Sequence, residues 1–502
     1  MTKESAGAWP HLSGKTATFI TLGCKVNSYE TEAMAQQLEA AGVKVVPEEA
    51  SRGISADICV VNTCSVTNIA DRKSRQMMRR ARKSFPGCVV VGVGCYVQAV
   101  GEKVQEEGLA DLLIGTNLKN GLTALLEEYY CNQENSEKEN VRGRISTDQG
   151  TVLADPETCS TGILLIDLKK RIPYEKQHIT RTMEHTRAYV KIQDGCNLFC
   201  TYCIIPYTRG RIRSRQTEDI LSEVRDLAES GIREVVLTGI HISSYGMEWE
   251  TDNEAKKHFS DGKYLLELLR ALDEIPGITR IRTGSFEPRV ITPAFVEGLK
   301  GIKKLCPHFH LSMQSGSDAV LKRMNRHYDT TEYEAGCKLL RQAFPDVALT
   351  TDVIVGFPGE TEQEFAETVE FCKRIGFYEM HVFQYSRRAG TVADKMPDQV
   401  PEPVKKERSE VLLDLTAVSS GDYRARLLES GNAEELLLEH PQVIDGKEYL
   451  TGYDKHYVRM ALPVREGICP GTAVKVRPVS FVSQERDCLF VEEVLADSGK
   501  MV

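Results

Sequence analysis

The sequence predicts an α/β protein in three parts: a doubly wound parallel-sheet domain, a partial (β/α) barrel, and a small β-barrel near the C-terminus. Three observations carry this. Between residues 15 and 126, short β-branched runs alternate with helical periods, as in a parallel sheet covered by helices. From Tyr189 the alternation restarts, and serial βα units then continue for about 200 residues, the scale of a complete or partial barrel. From about residue 420, short strands separated by turn residues replace the helical periods.

The first domain spans 14–126. KTATFITLG reads as a strand. NSYETEAMAQQLEAAG reads as a helix, with Asn27 as N-cap, Glu30 three residues on and Gly42 past the end. ADICVVNT and CVVVGVG are near-continuous apolar strands, the pattern of a sheet buried on both faces, and DLLIG is a candidate fourth. Residues 127–185 are polar with little periodicity and read as a linker or insertion. The central core, 186–418, offers six strands: YVKI, EVVLTGI, RIRTGS, HFHLSM, LTTDVIVGF and EMHVFQY. Segments such as DILSEVRDLAESG and YEAGCKLLRQAF supply helices between them. The module at 419–496 contains AEELLLEH, YLTGYDKHYVRMALP, AVKVRPVSF and CLFVEEVL.

Of 502 residues, 41% are hydrophobic and 27% charged, ordinary globular material. No run reaches the roughly 18 apolar residues of a membrane helix, and MTKESAGAWPHLSGK lacks the apolar region of a secretory signal. A cytoplasmic protein without a membrane partner is the expectation. Fifteen cysteines are too dilute for a disulfide scaffold, so those that cluster point to metal or to chemistry. A net charge of −9 argues against a protein coated in nucleic acid, though not against a local basic site.

Cys196, Cys200 and Cys203 lie in DGCNLFCTYC, directly after the strand YVKI, where a barrel collects its active-site loops. A closed structural zinc site wants four protein ligands, and three leave a position open. Iron–sulfur clusters usually take four cysteines, so three leave one iron for a substrate or cofactor. The plain alternative is a structural zinc loop. Cys24, Cys64 and Cys95 each stand just past a predicted strand of the first domain. In an open parallel sheet those ends share one crevice, so three thiols far apart in sequence can meet there. Buried cysteines are also common core residues. Cys59 and Cys88, at strand starts, read as core.

The spacing C-x3-C-x2-C with Tyr202 before the last cysteine closely resembles the motif of the radical S-adenosylmethionine (SAM) superfamily. TLGCKVNSYETE, VNTCSVTNIADRKSRQMMRRA and GVGCYVQ resemble the N-terminal domain of its methylthiotransferase branch. The resemblance continues through LTGIHISSYG, SFEP, HLSMQSGSD and TTDVIVGFPGET, and the C-terminal module matches that family's TRAM domain in position and size. It implies one [4Fe-4S] cluster on Cys196, Cys200 and Cys203 whose free iron takes SAM, and a second on Cys24, Cys64 and Cys95 associated with sulfur delivery. The wording LGCKVN resembles the branch that converts N6-threonylcarbamoyladenosine, next to the anticodon of tRNA, to its 2-methylthio derivative. Alternatives are methylthiolation of isopentenyladenosine in tRNA or of a ribosomal-protein aspartate, and an iron–sulfur RNA-binding redox sensor. An alkylthio transferase of this kind needs an electron donor and a sulfur source as further partners. Tyr202, Gly239, Glu287, Gln314 and Asp352, at loop or strand ends, are candidates to meet SAM, and each reads equally as a turn or barrel-rim group.

Two arginine runs suggest an RNA surface. DRKSRQMMRRARKS carries seven basic residues, and Arg72, Arg75, Arg79 and Arg82 form one helical stripe. In TRGRIRSR, alternation in an extended segment points Arg209, Arg211, Arg213 and Arg215 the same way, toward phosphate. A solvated face is the plain alternative for either run. The segment 430–502 holds eight Lys/Arg against twelve Asp/Glu, so an RNA grip there rests on a local patch such as Lys455, His456, Tyr457 and Arg459.

Overall fold

A computed structural model of the chain describes residues 9–47, 56–134, 162–183, 186–249, 261–465, 467 and 469–494. The chain divides into two compact units. The first holds Met1–Ile179, Gln193–Arg215 and Ser386–Thr391, and the second holds the remainder.

In the first unit, β1 (Thr16–Thr21), β2 (Lys44–Val46), β3 (Ile58–Thr63), β4 (Val89–Gly94), β5 (Leu112–Ile114) and β6 (Ile163–Leu164) form one parallel sheet of order β2-β1-β3-β4-β5-β6. Every residue of β3 and β4 is buried. Period-two alternation splits them between two cores. Ile58, Val60 and Val91 face Met34, Leu38 and Leu126, from α1 (Lys25–Ala40) and α4 (Leu122–Glu134). Cys59, Val61 and Val90 face Met78, Ala81 and Val97, from α2 (Asn68–Ser84) and α3 (Cys95–Glu106). Helices on both faces make the domain doubly wound, as expected, and put Cys59 and Cys88 in the core.

Two local expectations are corrected. The N-cap of α1 is Cys24, whose side chain makes no capping bond. Asn27 is buried instead, because its amide is consumed holding loop carbonyls, donating to Leu22 O at 2.6 Å and Thr63 O at 3.0 Å. The linker at 127–185 is also shorter than its polarity implied. α4 runs to Glu134 and Ile163–Leu164 pairs with β5, since even a two-residue apolar strand completes an otherwise open sheet edge. Residues 135–161 of that linker lie outside the described residues.

The barrel strands are β7 (Arg187–Asp194), β9 (Glu234–Gly239), β10 (Arg280–Thr283), β11 (His308–His310), β12 (Ala348–Val355) and β13 (Glu379–Gln384), the six expected. They form two sheets. One has the order β10-β9-β7-β8, with the short β8 (Arg213–Ser214) pairing antiparallel to the end of β7. The other is β11-β12-β13, and single bridges Ile281↔Leu305 and Phe286↔Leu311 lead from β10 toward β11. The helix Glu402–Ser430 runs across the expected boundary at 418/419.

The C-terminal module is a closed barrel of order β14-β15-β16-β18-β17: β14 (Glu434–Ile444), β15 (Lys447–Tyr453), β16 (Arg459–Pro463), β17 (Ala473–Phe481) and β18 (Leu489–Glu493). Asp445 and Gly446, both at positive φ, make the two-residue hairpin between β14 and β15. Leu436, Leu450, Met460, Leu462, Val476 and Val491 fill its core.

Candidate functional site

Cys24, Cys64 and Cys95 converge at the C-terminal edge of the parallel sheet. Two glycines allow it. Gly23 sits at φ 102°, and a Cβ there would lie 2.8 Å from Cys64 Cβ and 2.9 Å from its sulfur. Gly94, at φ 99°, would press a Cβ to 2.8 Å from Asn62 Oδ1 and 2.9 Å from Thr63 O. The glycine preceding the cysteine in LGC and VGC therefore lets backbones approach closely. Burial pushes the Cys64 thiol up to about 11, and the neighbouring Cys95 and Cys24 add to this, against a bond from the Val66 backbone and the charge of Arg209. Burial also raises Cys95, and Arg209 and Lys119 oppose it. Cationic iron is what such thiols need to become thiolates, so loading the site releases protons.

Under this crevice lies a buried polar lattice. Asn62 donates to Asn27 O at 2.9 Å and to Thr31 Oγ1 at 3.0 Å. Lys119 Nζ donates to Asn62 Oδ1 at 3.1 Å and pairs with Glu30. Arg209 reaches the same place from the loop that follows Cys196, Cys200 and Cys203. Its Nε donates to Cys95 Sγ at 3.2 Å, Nη1 to Glu30 at 2.8 Å and Asp194 at 3.2 Å, and Nη2 to Asn27 Oδ1 at 2.8 Å.

Cys196, Cys200 and Cys203 occupy the loop leaving β7, in the same compact unit. Gly195, at φ 71°, turns the chain there, and a Cβ would lie only 2.0 Å from Arg211 O. Cys196 N donates to Gly210 O at 3.0 Å and Cys203 N to Cys200 O at 2.9 Å, which folds the loop on itself. None of the six cysteines is in a disulfide. Each set offers three soft thiol donors, the set that suits iron–sulfur clusters, and each leaves one iron of a four-iron cluster without a cysteine.

The second arginine run corrects the sequence reading. Arg209, Arg213 and Arg215 are buried, and only Arg211 is exposed. Arg213 donates to Arg209 O at 2.7 Å and lies 3.4 Å from Asp194, and Arg215 donates to the Tyr29 hydroxyl at 3.2 Å. The reason is that β8 pairs with β7 beneath the cysteine loop, so the segment is core rather than rim. On α2 the expected stripe is divided. Arg79 pairs with Glu107 at 3.2 Å, Arg82 with Asp111 at 2.9 Å, and Arg75 approaches the Tyr96 hydroxyl at 3.5 Å. Arg72, Lys73 and Lys83 are exposed. Arg388, singled out by nothing in the sequence, is buried against the start of α2, where it pairs with Asp71 and Ser65.

In the second unit, Gly239 ends β9 and is partly exposed. Glu287 is buried and holds Arg289 through its backbone N (3.1 Å) and Nε (2.9 Å), so it caps a local turn rather than presenting a free carboxylate. Gln314, at φ 71°, bridges to β12 through its backbone. Asp352 lies 3.3 Å from His310 Nε2, and the His310 ring stacks on His381 at 5.7 Å. His381 was missed. The alternation of β12 and β13 (Asp352 directly opposite His381) is the signal that finds it. Burial lowers His241 to about 4, so it is neutral near pH 7. The patch at 455–459 is also corrected. Tyr457 packs between Arg187, Arg282, Tyr453 and His308, and His456 bonds Asp454 at 3.2 Å, because the loop after β15 turns inward to the buried arginines.

Residues 190–372 match the radical SAM superfamily, and residues 16–115 match the uncharacterized protein family UPF0004. What the fold and the cysteines define is an iron–sulfur enzyme of the radical SAM class. The chain is 37% identical over 463 residues, 92% of its length and 93% of the relative's, to the threonylcarbamoyladenosine tRNA methylthiotransferase MtaB of Bacillus subtilis (strain 168). It is 34% identical over 470 residues, 92% of this chain and 95% of the other, to the tRNA-2-methylthio-N(6)-dimethylallyladenosine synthase of Moorella thermoacetica. Among solved structures it is similar to the radical SAM methyltransferase TsrM from Kitasatospora setae, at TM-score 0.48 and 14% identity over 74% of this chain and 72% of that one. The chain belongs to the radical SAM methylthiotransferases, enzymes that use SAM and two [4Fe-4S] clusters. No helix among the described residues is long and apolar enough to cross a membrane.

Proposed function

We propose that this chain transfers a methylthio group to carbon 2 of N6-threonylcarbamoyladenosine beside the anticodon of tRNA. The observation that carries the reading is the presence of two three-cysteine sets in one compact unit, one of them after the first barrel strand. When bound, SAM and the clusters supply the 5′-deoxyadenosyl radical that removes the carbon-2 hydrogen, the sulfur that replaces it, and the methyl group that caps the sulfur. Cys196, Cys200 and Cys203 hold the cluster that takes SAM, and Cys24, Cys64 and Cys95 hold the other. Tyr202, Gly239, Gln314 and Asp352 remain the residues proposed to meet SAM.

For RNA, Arg72, Lys73, Lys83 and Arg211 are among the exposed cations of the two runs, suited to phosphate. Beside the radical loop, Phe199 and Tyr207 are exposed aromatics 5.9 Å apart, and the Arg211 guanidinium lies 5.8 Å from the Phe199 ring. Aromatic faces next to an arginine are the groups on which splayed RNA bases stack. The named activity of the Bacillus subtilis relative favours the threonylcarbamoyl substrate, and that of the Moorella relative supports dimethylallyladenosine as the second reading.

Mass spectrometry of digested tRNA from a strain lacking the protein separates them. Loss of 2-methylthio-N6-threonylcarbamoyladenosine, restored by the wild-type chain and not by Cys200→Ala, is expected. If that nucleoside persists and the 2-methylthio dimethylallyl nucleoside disappears, the second reading replaces the first.

A further inference from the structure

Arg209 is a heavily engaged side chain of the first unit. It is 1% exposed, and its guanidinium contacts four residues from three places in the sequence. Glu30 and Asn27 belong to the first turns of α1, whose N-cap is Cys24. Cys95 opens α3. Asp194 closes β7 and accepts from Gly195 N at 2.8 Å, one residue before Cys196. Arg209 itself stands six residues after Cys203 and sends its carbonyl to Arg213 at 2.7 Å. One cation thus touches a sulfur of one cysteine set and the carboxylate on which the loop of the other begins.

We propose that Arg209 is a positioning residue of the sulfur-side cluster: its Nε–H fixes the Cys95 sulfur, its charge offsets that of the bound thiolates, and its Asp194 pair ties this site to the radical loop. The inference rests on the assignment of Cys24, Cys64 and Cys95 to a cluster. A donor on a ligand sulfur and a nearby positive charge both favour the reduced, more negative cluster, so they raise its reduction potential. A bidentate guanidinium suits this place where an ammonium does not, because it meets a sulfur, two carboxylates and an amide oxygen from one rigid plane. The Lys119 ammonium, a point charge without that fork, serves Glu30 and Asn62 instead.

The test uses the full chain carrying Cys196→Ala, Cys200→Ala and Cys203→Ala, so that only the sulfur-side cluster is read. In that background Arg209→Lys is compared with Arg209→Gln, which removes the charge while Lys119 still pairs with Glu30 and Arg213 still lies 3.4 Å from Asp194. Iron per chain is measured after anaerobic reconstitution, and the midpoint potential is followed by electron paramagnetic resonance. A midpoint more negative in Arg209→Gln, with Arg209→Lys between it and the parent, is expected. Loss of iron from an Arg209→Gln chain that still unfolds cooperatively in urea supports the same role, since the Cys95 sulfur is then no longer held. If Arg209→Gln fails to fold, Arg209→Lys decides alone. An unchanged or more positive midpoint overturns the proposal, as does a parent that binds no iron. None of these readings involves tRNA, so a wrong substrate assignment leaves them standing.

Discussion

The two arginine runs, on α2 and at 209–215, look alike as sequence and are opposites as structure. Both are dense in Arg and both lie just beyond cysteines of the two three-cysteine sets. The run on α2 lies on a helix with one buried face, so Met78 and Ala81 take the core and the cations are left to solvent or to acids at the rim. The run at 209–215 leaves the cysteine loop, pairs with β7 and is covered, and three of its arginines meet buried acceptors. A charge run is a surface only when the element that carries it has one. Where it lacks one, the charges are matched from within, here by Glu30 and Asp194.

The largest expected effect comes from breaking the buried side. Arg209→Ala leaves Glu30 and Asp194 inside the protein with a cation removed. Losing one partner of a buried pair costs about 3–5 kcal/mol, far more than the pair itself contributes relative to apolar residues. The combined variant Arg72→Ala/Lys73→Ala/Lys83→Ala alters three exposed side chains, and surface changes of this kind stay within about 0.5 kcal/mol each. Urea denaturation of the metal-free chains measures both. Equal losses in the two variants contradict the contrast.

Gly195→Ala probes the same buried side through the backbone. Its Cβ would meet Arg211 O at 2.0 Å, and neither atom belongs to a flexible side chain, so the cysteine loop and the arginine segment must part. Strain at a left-handed position costs on the order of 1–3 kcal/mol. Iron held by Cys196, Cys200 and Cys203 is expected to fall while that on the other set persists, so total iron drops by about half. Full iron retention shows that the segment does not brace the loop.

These contrasts mark what the sequence made legible. Runs such as ICVVNT and VVVGVG are short, β-branched and buried on both faces, the pattern of a parallel strand covered by helices, so the sheet and its cysteine edge could be read directly. Six barrel strands were legible because helical periods alternate with them. The uses of Asn27, Arg209 and Tyr457 were not, because each depends on a partner more than thirty residues away: Thr63, Cys95 and Arg187. Residue type announces that a polar group needs a partner, and only the fold supplies which one. The membership of residues 193–215 in the first unit was hidden likewise, since contiguity assigned them to the barrel.

The exposed side of the contrast is sharpened by salt. If Arg72, Lys73 and Lys83 contact tRNA phosphate, their combined replacement weakens binding across tRNA sequences. It also lowers the slope of log K against log salt by up to about one for each phosphate left without its cation. Nitrocellulose-filter binding at several salt concentrations gives the slope. An unchanged slope in a folded variant removes α2 from the RNA surface.

The smallest effects separate the cations of α2 from one another. Arg79 and Glu107 form an exposed pair, with the Arg79 side chain 63% exposed, and such pairs contribute about 0–1 kcal/mol. Arg82 does slightly more, since it also donates to Leu109 O at 3.3 Å, while Asp111 accepts from Val90 N at 2.7 Å. Arg79→Ala is therefore expected to leave urea stability almost unchanged, and Arg82→Ala to lower it by under about 1 kcal/mol. Asp111→Ala exceeds both, because it also strips a backbone amide of β4 of an acceptor. These arginines already have acidic partners, so phosphate must compete for them. Arg79→Ala and Arg82→Ala should then shift the salt slope less than Lys73→Ala or Lys83→Ala. A larger shift from Arg82→Ala than from Lys83→Ala means that RNA draws Arg82 away from Asp111, and that the division of the stripe seen in the free chain does not survive binding.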